Sequence, residues 1–176
     1  MERIILGSGH TYVTEFANTI PEDTQIEVEG NLLGATSGGA SLEYTQEKYT
    51  AKSDDGTKTK TIIVDENAVL KTGIMTLMAE NLKKLVETGR VSTSGKRTSL
   101  KIGGANNADG KNYLVRFVHK DAVDGDVRIT IVGKNQGGLT MAFAKDKEVV
   151  VDAEFKAEAM DAEGTLVQID FDEPAE

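Results

Sequence analysis

Lys111-Asn112-Tyr113-Leu114-Val115-Arg116-Phe117-Val118-His119, then Asp124-Gly125-Asp126-Val127-Arg128-Ile129-Thr130-Ile131-Val132-Gly133, is the stretch on which the fold turns. Tyr113, Val115 and Phe117 share one face with Arg116 on the other, and Val127, Ile129 and Ile131 repeat the pattern against Arg128 and Thr130. A period of two marks a pleated strand whose two faces meet different surroundings. Asp-Gly between two such runs supplies the positive φ of a tight hairpin turn. This region therefore predicts a β-hairpin.

The same period recurs on both sides. Downstream, Leu139, Met141 and Phe143 alternate after Gly137-Gly138, which reads as a second hairpin turn, and Val167, Ile169 and Phe171 alternate near the end. Upstream, Ile26 and Val28 alternate with Gln25, Glu27 and Glu29, predicting an early strand. Further strand-like runs lie at 40–50, 59–65, 67–74, 97–102 and 148–157. The chain has 18 glycines and 2 prolines, which suits a sheet protein with many tight turns. One segment breaks the period. Between Met75 and Thr88 the apolar residues Leu77, Met78, Leu82, Leu85 and Val86 take helical spacing, Lys83 and Lys84 sit where cations favour the dipole, and Gly89 is a stop. The expectation is a mainly β protein, a β-sandwich or open barrel with one flanking α-helix at about 75–88. No linker, repeat or composition break divides residues 1–176, so one domain is expected.

Composition narrows the function classes. With 39% hydrophobic and 28% charged residues the chain is globular rather than disordered. It has no cysteine, which excludes disulfides and thiolate metal sites. His10 and His119 are far apart in sequence, no apolar run approaches a membrane span, and Met1-Glu2-Arg3-Ile4 lacks a signal-peptide core. The expected compartment is cytosolic during synthesis. Net charge is −9, but unevenly spread: residues 1–66 carry 5 bases and 12 acids, residues 67–144 carry 12 and 6, and residues 145–176 carry 3 and 11. Alternating acidic, basic and acidic blocks read either as solvated faces partly neutralised within one subunit or as complementary patches that steer copies of one chain together. They do not suit a nucleic-acid backbone binder, which needs a basic groove and, for single strands, stacking aromatics.

The stretches that come nearest to catalytic motifs fail on geometry. Gly7-Ser8-Gly9-His10-Thr11-Tyr12 starts like a dinucleotide fingerprint but has Tyr at the third glycine position and no βαβ setting, so it reads as a turn between two N-terminal strands. Between Gly89 and Arg97 the glycine spacing is one residue too long for a phosphate loop, and Arg97 replaces the hydroxyl that would hold Mg²⁺. Asp121, Asp124 and Asp126 around Gly125 lack calcium-loop spacing, with Val132 at the bidentate position. His119 has no predictable nucleophile partner, and Glu154 and Glu158 belong to a surface too rich in acids to nominate a general acid and base. No catalytic, cofactor or metal residue is assigned, and an enzyme is not expected.

Thr50-Ala51-Lys52-Ser53-Asp54-Asp55-Gly56-Thr57-Lys58-Thr59-Lys60 is the most polar stretch between two strand candidates, and Asp55-Gly56 supplies its turn. It reads either as an ordinary hairpin tip or as an adhesive loop reaching a neighbouring subunit.

In segment order over nearly the whole chain, the sequence resembles the tail tube (major tail) proteins of Gram-positive-type phages and prophages. The resemblance is carried by Leu6-Gly7-Ser8-Gly9, by Ile26-Glu27-Val28-Glu29-Gly30-Asn31-Leu32-Leu33-Gly34, and by Gly38-Gly39-Ala40-Ser41-Leu42-Glu43-Tyr44 leading to Tyr49-Thr50-Ala51-Lys52. It continues in Lys71-Thr72-Gly73-Ile74-Met75-Thr76, Lys101-Ile102-Gly103-Gly104, Arg116-Phe117-Val118-His119-Lys120 and Gly125-Asp126-Val127-Arg128-Ile129-Thr130-Ile131. It closes in Asp152-Ala153-Glu154-Phe155-Lys156-Ala157 and Glu163-Gly164-Thr165-Leu166. The family implies hexameric rings stacked into a hollow tube, with an inner barrel built from the sheets of all six subunits. DNA and the tape measure protein pass inside without specific binding, and tail terminator and baseplate or distal tail proteins cap the ends. This places the chain in a virion tail, assembled in the host cytoplasm with no membrane insertion.

The resemblance also implies that a long loop between two early strands reaches the next ring. By segment order it is the stretch at about 49–60, with Tyr49, Lys52, Asp54, Asp55, Lys58 and Lys60 as contacts and the segment after Glu163 as a second arm. An acidic lumen would let a phosphate backbone slide, and Glu27, Glu29 and Glu43 are the candidate lumen acids. The non-contractile tail is favoured. Alternatives are the tube of a contractile phage-tail-like bacteriocin or type VI-like injection system, and, in a different class, a β-sandwich carbohydrate- or receptor-binding module.

Overall fold

The computed structural model describes residues 7–173 and is mainly β. Its strands are β1 (His10–Glu15), β2 (Leu32–Gly34), β3 (Thr36–Lys52), β4 (Thr59–Ile74), β5 (Arg90–Ser94), β6 (Arg97–Lys101), β7 (Tyr113–His119), β8 (Val127–Asn135), β9 (Val151–Glu158) and β10 (Val167–Phe171). Two short helices, α1 (Asp23–Ile26) and α2 (Ala79–Lys83), accompany them.

The predicted hairpin forms. β7 and β8 pair antiparallel from Tyr113↔Gly133 to His119↔Val127. Gly125 turns between them at φ +84°, where a Cβ would stand 2.2 Å from the Asp172 carbonyl oxygen, so both backbone sign and space demand glycine. Around this hairpin grows a sheet of order β2-β1-β7-β8-β9-β4-β3, with β10 also on β8, while β5 and β6 make a separate hairpin.

The two ends of that sheet meet. β2 and β3 are opposite edges, yet only Ala35 separates them in sequence. Ala35 is held by Met75 N–H donating to its carbonyl at 2.9 Å and by its own N–H donating to Thr76 Oγ1 at 2.7 Å. The sheet therefore curls into an open barrel, and Thr11 of β1 and Thr72 of β4 hydrogen-bond across the buried interior at 3.3 Å. β8 is the corner: it pairs with β10 along Val127–Ile131 and with β9 from Val132 onward. At that switch a Cβ on Gly133 would lie 1.9 Å from the Lys156 carbonyl oxygen, so the bare glycine lets the strands cross.

The main core fills the curl, with Val13, Leu70, Val115, Phe117, Ile131 and Phe155 among its members. A second cluster, including Tyr12, Ile26, Leu114, Val118, Val132 and Met160, lies on the outer face of β1, β7 and β8. β7 is thus buried on both faces.

The structure corrects four expectations. The alternation of Ile26 and Val28 is not a strand: α1 ends at Ile26, a single 3-10 turn spans Glu29–Asn31, and Asn31 Nδ2 donates to the Gln25 and Ile26 carbonyls at 3.1 Å. Ile26 is fully buried as a lid on the sheet while Val28 is exposed. The helix expected at about 75–88 shrinks to Ala79–Lys83, because Met75 and Thr76 are held extended by Ala35 and the chain after Lys83 tightens into successive i→i+3 turns. Leu82 and Leu85 nonetheless reach the core, with Leu77 and Val86 packed beside it. Leu139, Met141 and Phe143 form no strand after Gly137-Gly138; they lie in the long connection between β8 and β9, which pair with each other instead. The stretch at 49–60 is half strand, with residues 49–52 and 59–60 paired in the ribbon and only 53–58 forming the tip. The strand expected before Gly7 falls outside the described residues.

Candidate assembly surface

The feature that stands out from the fold is the ribbon made by the distal halves of β3 and β4. Pairing runs from Thr36↔Ile74 to Lys52↔Thr59, but core contact stops at Leu42 and Ala68. From Glu43 to Glu66 every residue except Ser53 is exposed. Ten residues of β3 beyond that point reach about 33 Å at strand rise. A lone two-stranded ribbon of this length is at best marginal in water.

Its side chains divide between two faces by register. One face continues the core side with Tyr44, Gln46, Lys48 and Thr50, paired with Ala68, Glu66, Ile63 and Thr61. The Tyr44 hydroxyl donates to Glu66 Oε1, and Gln46 Nε2 reaches the same hydroxyl at 2.8 Å. Glu66 is held below the ordinary carboxylate range by the Tyr44 and Gln46 hydrogen bonds, and Tyr44 is raised chiefly by bonding that carboxylate. The other face carries Glu43, Glu47, Tyr49, Ile62 and Asp65. A bulge between Glu47 and Lys48 leaves Val64 without an opposite residue and re-aims the strand beyond it. Tyr49 and Ile62 on this face, Ile63 on the core-side face and Val64 in the bulge are 59%, 48%, 49% and 52% exposed, so large apolar side chains are exposed on both faces of the ribbon.

At the tip, Asp55 organises the turn. Its Oδ1 accepts from the Ser53 hydroxyl and, at 3.0 Å, from Thr57 N–H, while Oδ2 accepts from Thr57 Oγ1 at 2.8 Å. These bonds, Ser53 first, hold the carboxyl down at about 2.

The candidate contact residues therefore fall in two settings. Tyr49, Lys52 and Lys60 lie on the paired ribbon and Asp54, Asp55 and Lys58 in the turn, all exposed. Ile62, Ile63 and Val64 were not singled out from the sequence; their β-branched run against Asp65 was the signal, and it reads equally as a buried strand.

The candidate lumen acids separate. Glu43 lies on the outward face of the β9-β4-β3 layer, 3.3 Å from Lys71, which in turn lies 4.0 Å from Glu154. Register places Asp152, Glu154, Glu47 and Asp65 on the same face with Lys156, so acids outnumber bases there. Glu29 is exposed on the 3-10 turn that precedes β2 and is not part of a strand. Glu27 is internal: its carboxylate is 2.5 Å from Arg128 Nε and 3.8 Å from Arg116, with a side chain 9% exposed. Arg116 bonds Thr130 Oγ1 at 2.9 Å and pairs with Asp23, and Arg128 also pairs with Asp172 and, at 3.3 Å, with Asp126. This ion network pins α1 onto the outer face of β7 and β8.

The other residues weighed for chemistry are used structurally. Asp121 Oδ1 accepts from the Val123 and Asp124 amides, and Asp126 Oδ1 from the Asp121 amide, so these carboxylates build the β7–β8 turn. His119 is buried with Nδ1 2.8 Å from the Ser8 carbonyl oxygen. No group of three or more His, Cys, Asp or Glu is placed to hold a metal ion among the described residues.

No family model and no curated protein matches this chain. Among solved structures, a chain in the virion of a native gene transfer agent particle covers 91% of this chain and 95% of its own, at 10% identity and a TM-score of 0.44. A likeness of that size assigns no function.

Proposed function

We propose that this chain is a self-assembling structural subunit of a phage-type tail tube, forming hexameric rings that stack into a hollow conduit for DNA. One observation carries the reading: the β3–β4 ribbon leaves the core for its whole distal length and exposes Tyr49, Ile62, Ile63 and Val64 with no cover in the monomer. Burying such side chains contributes roughly 1 kcal/mol or more each, so a neighbouring copy is the natural cover. A ring interface closes on itself whereas stacking stays open-ended, which turns one small chain into a filament. The acid-rich outward face with Glu43 and Glu154 suits a lumen, since a surface that repels phosphate lets DNA slide.

Negative-stain electron microscopy with sedimentation velocity at rising concentration tests the reading. Hollow tubes or rings of uniform diameter are expected, and a monodisperse monomer that binds glycans would favour a carbohydrate-binding module instead. A type VI-like or contractile tube would assemble alike and is separated by the neighbouring genes.

A further inference from the structure

The segment between β8 and β9 has the pattern of a strand and the surroundings of a loop. Leu139, Met141 and Phe143 alternate with Thr140 and Ala142, yet backbone pairing begins only at the Ala144–Lys147 bridge. Leu139 packs against the core, while Phe143 is 78% exposed. Asn135 fixes the start of the segment, donating to the Gly138 carbonyl at 2.7 Å and the Leu85 carbonyl at 2.9 Å. A period of two without a partner wastes both the apolar face and the backbone donors.

A matching edge exists elsewhere on the molecule. β10 pairs with β8 on one side only, and along Val167–Asp170 its other side has no strand partner among the described residues. Its apolar residues Val167 and Ile169 face the open mouth of the barrel, where a mainly apolar groove runs between them and Leu42, Tyr44 and Leu166, with Glu66 at its side. Ile169 is 44% exposed. The segment and this edge lie at different ends of β8: β10 pairs at Val127–Ile131, whereas the segment leaves after Asn135. The chain's own segment, clamped by Asn135, therefore starts at the end of β8 remote from its own β10.

We propose that Thr140–Phe143 of one copy adds as an antiparallel strand to the outer edge of β10 in another copy. Strand addition satisfies the unpaired backbone and seats Met141 and Phe143 in the apolar groove. In the register Ala142↔Gln168, Met141 meets Ile169 and Phe143 meets Val167, so apolar residues share one face. The turn closed by the Ala144–Lys147 bridge ends the segment and carries Lys145 and Lys147 beside the turn that holds Asp161 and Glu163, which gives charge complementarity next to the paired residues. The inference rests on the self-assembly reading but names a contact separate from the ribbon.

The chain has no cysteine, so disulfide trapping is clean. A tagged Ala142→Cys chain mixed with an untagged Gln168→Cys chain, then oxidised, should give the mixed dimer at least tenfold above a control pairing Ala142→Cys with Asp109→Cys. Adding Phe143→Asp should abolish that excess while the monomer's melting temperature stays unchanged, because the side chain is exposed. Trapping no better than the control, trapping unaffected by Phe143→Asp, or preferential trapping of Gln168→Cys by Ile62→Cys would overturn the proposal. Tubes without the mixed dimer would sink this contact and leave the tube reading intact. The mixed dimer without tubes would do the reverse.

Discussion

Arg116 and Arg128 show how one residue's surroundings redirect the meaning of another. Both are buried, and a buried guanidinium must keep its hydrogen-bonding carboxylates or leave a costly unpaired charge. Arg128 is pushed still further from deprotonation, first by the Glu27 hydrogen bond and then by Asp172. Glu27→Ala should therefore lower unfolding stability by about 2–3 kcal/mol in urea titrations, since Arg128 keeps only part of its network. Glu29→Ala, at an exposed turn, should stay within about 0.5 kcal/mol. Slowed DNA passage in a Glu27→Lys tube would thus report a damaged subunit rather than lumen charge. Asp55 gives a pH prediction of its own. Its carboxyl is depressed from 3.8 to about 2 in the folded tip, so the ordering it lends is complete above the ordinary value and fades as pH falls through about 2. The Thr57 amide resonance should hold steady from pH 9 to 5, and Asp55→Asn should move it throughout that range. A resonance that shifts near pH 4 would show that the hydroxyl and amide bonds do not form.

Among the elements, the ribbon and α2 carry opposite kinds of cost. The ribbon lies outside the core, so deleting Ser53–Thr57 should leave the melting temperature within a few degrees yet prevent long tubes. Normal-length tubes in electron micrographs of that deletion would remove the ribbon tip from assembly. Leu82→Ala should cost about 2–4 kcal/mol through the cavity it opens, whereas Met78→Ala, at a side chain 63% exposed, should cost little. The helical spacing of Leu77, Leu82, Leu85 and Val86 was legible because all four do face the core, but the extent of the helix was not. Spacing reports which residues are buried together, while the closing bonds of Ala35 to Met75 and Thr76 decide where a helix can begin. The sequence shows the ribbon as two strands and a polar loop for a similar reason. Alternation ends where one face stops being buried, and beyond Leu42 neither face is covered in the monomer.

For the whole molecule, the acid-rich face of β9, β4 and β3 is the consequence of curling. Glu43→Lys with Glu154→Lys should leave the fold and tubes intact, because both side chains are exposed, and should slow DNA release from particles carrying the variant. Unchanged release kinetics in well-formed tubes would move the lumen to another face. The sequence by itself determined the β content, the β7–β8 hairpin and its glycine, the positions of most strands and the absence of thiolate chemistry. Each of these follows from period two, turn stereochemistry or composition, which are local properties of the chain. Only the tertiary structure decided that Ile26 and Glu27 form a lid tied to arginines, that the β2 and β3 edges meet at Ala35, and that Leu139, Met141 and Phe143 take no strand partner among the described residues. A pleated pattern states that a segment can lie on a sheet; which sheet, and whether the partner is in the same chain, is settled by contacts between residues far apart in sequence.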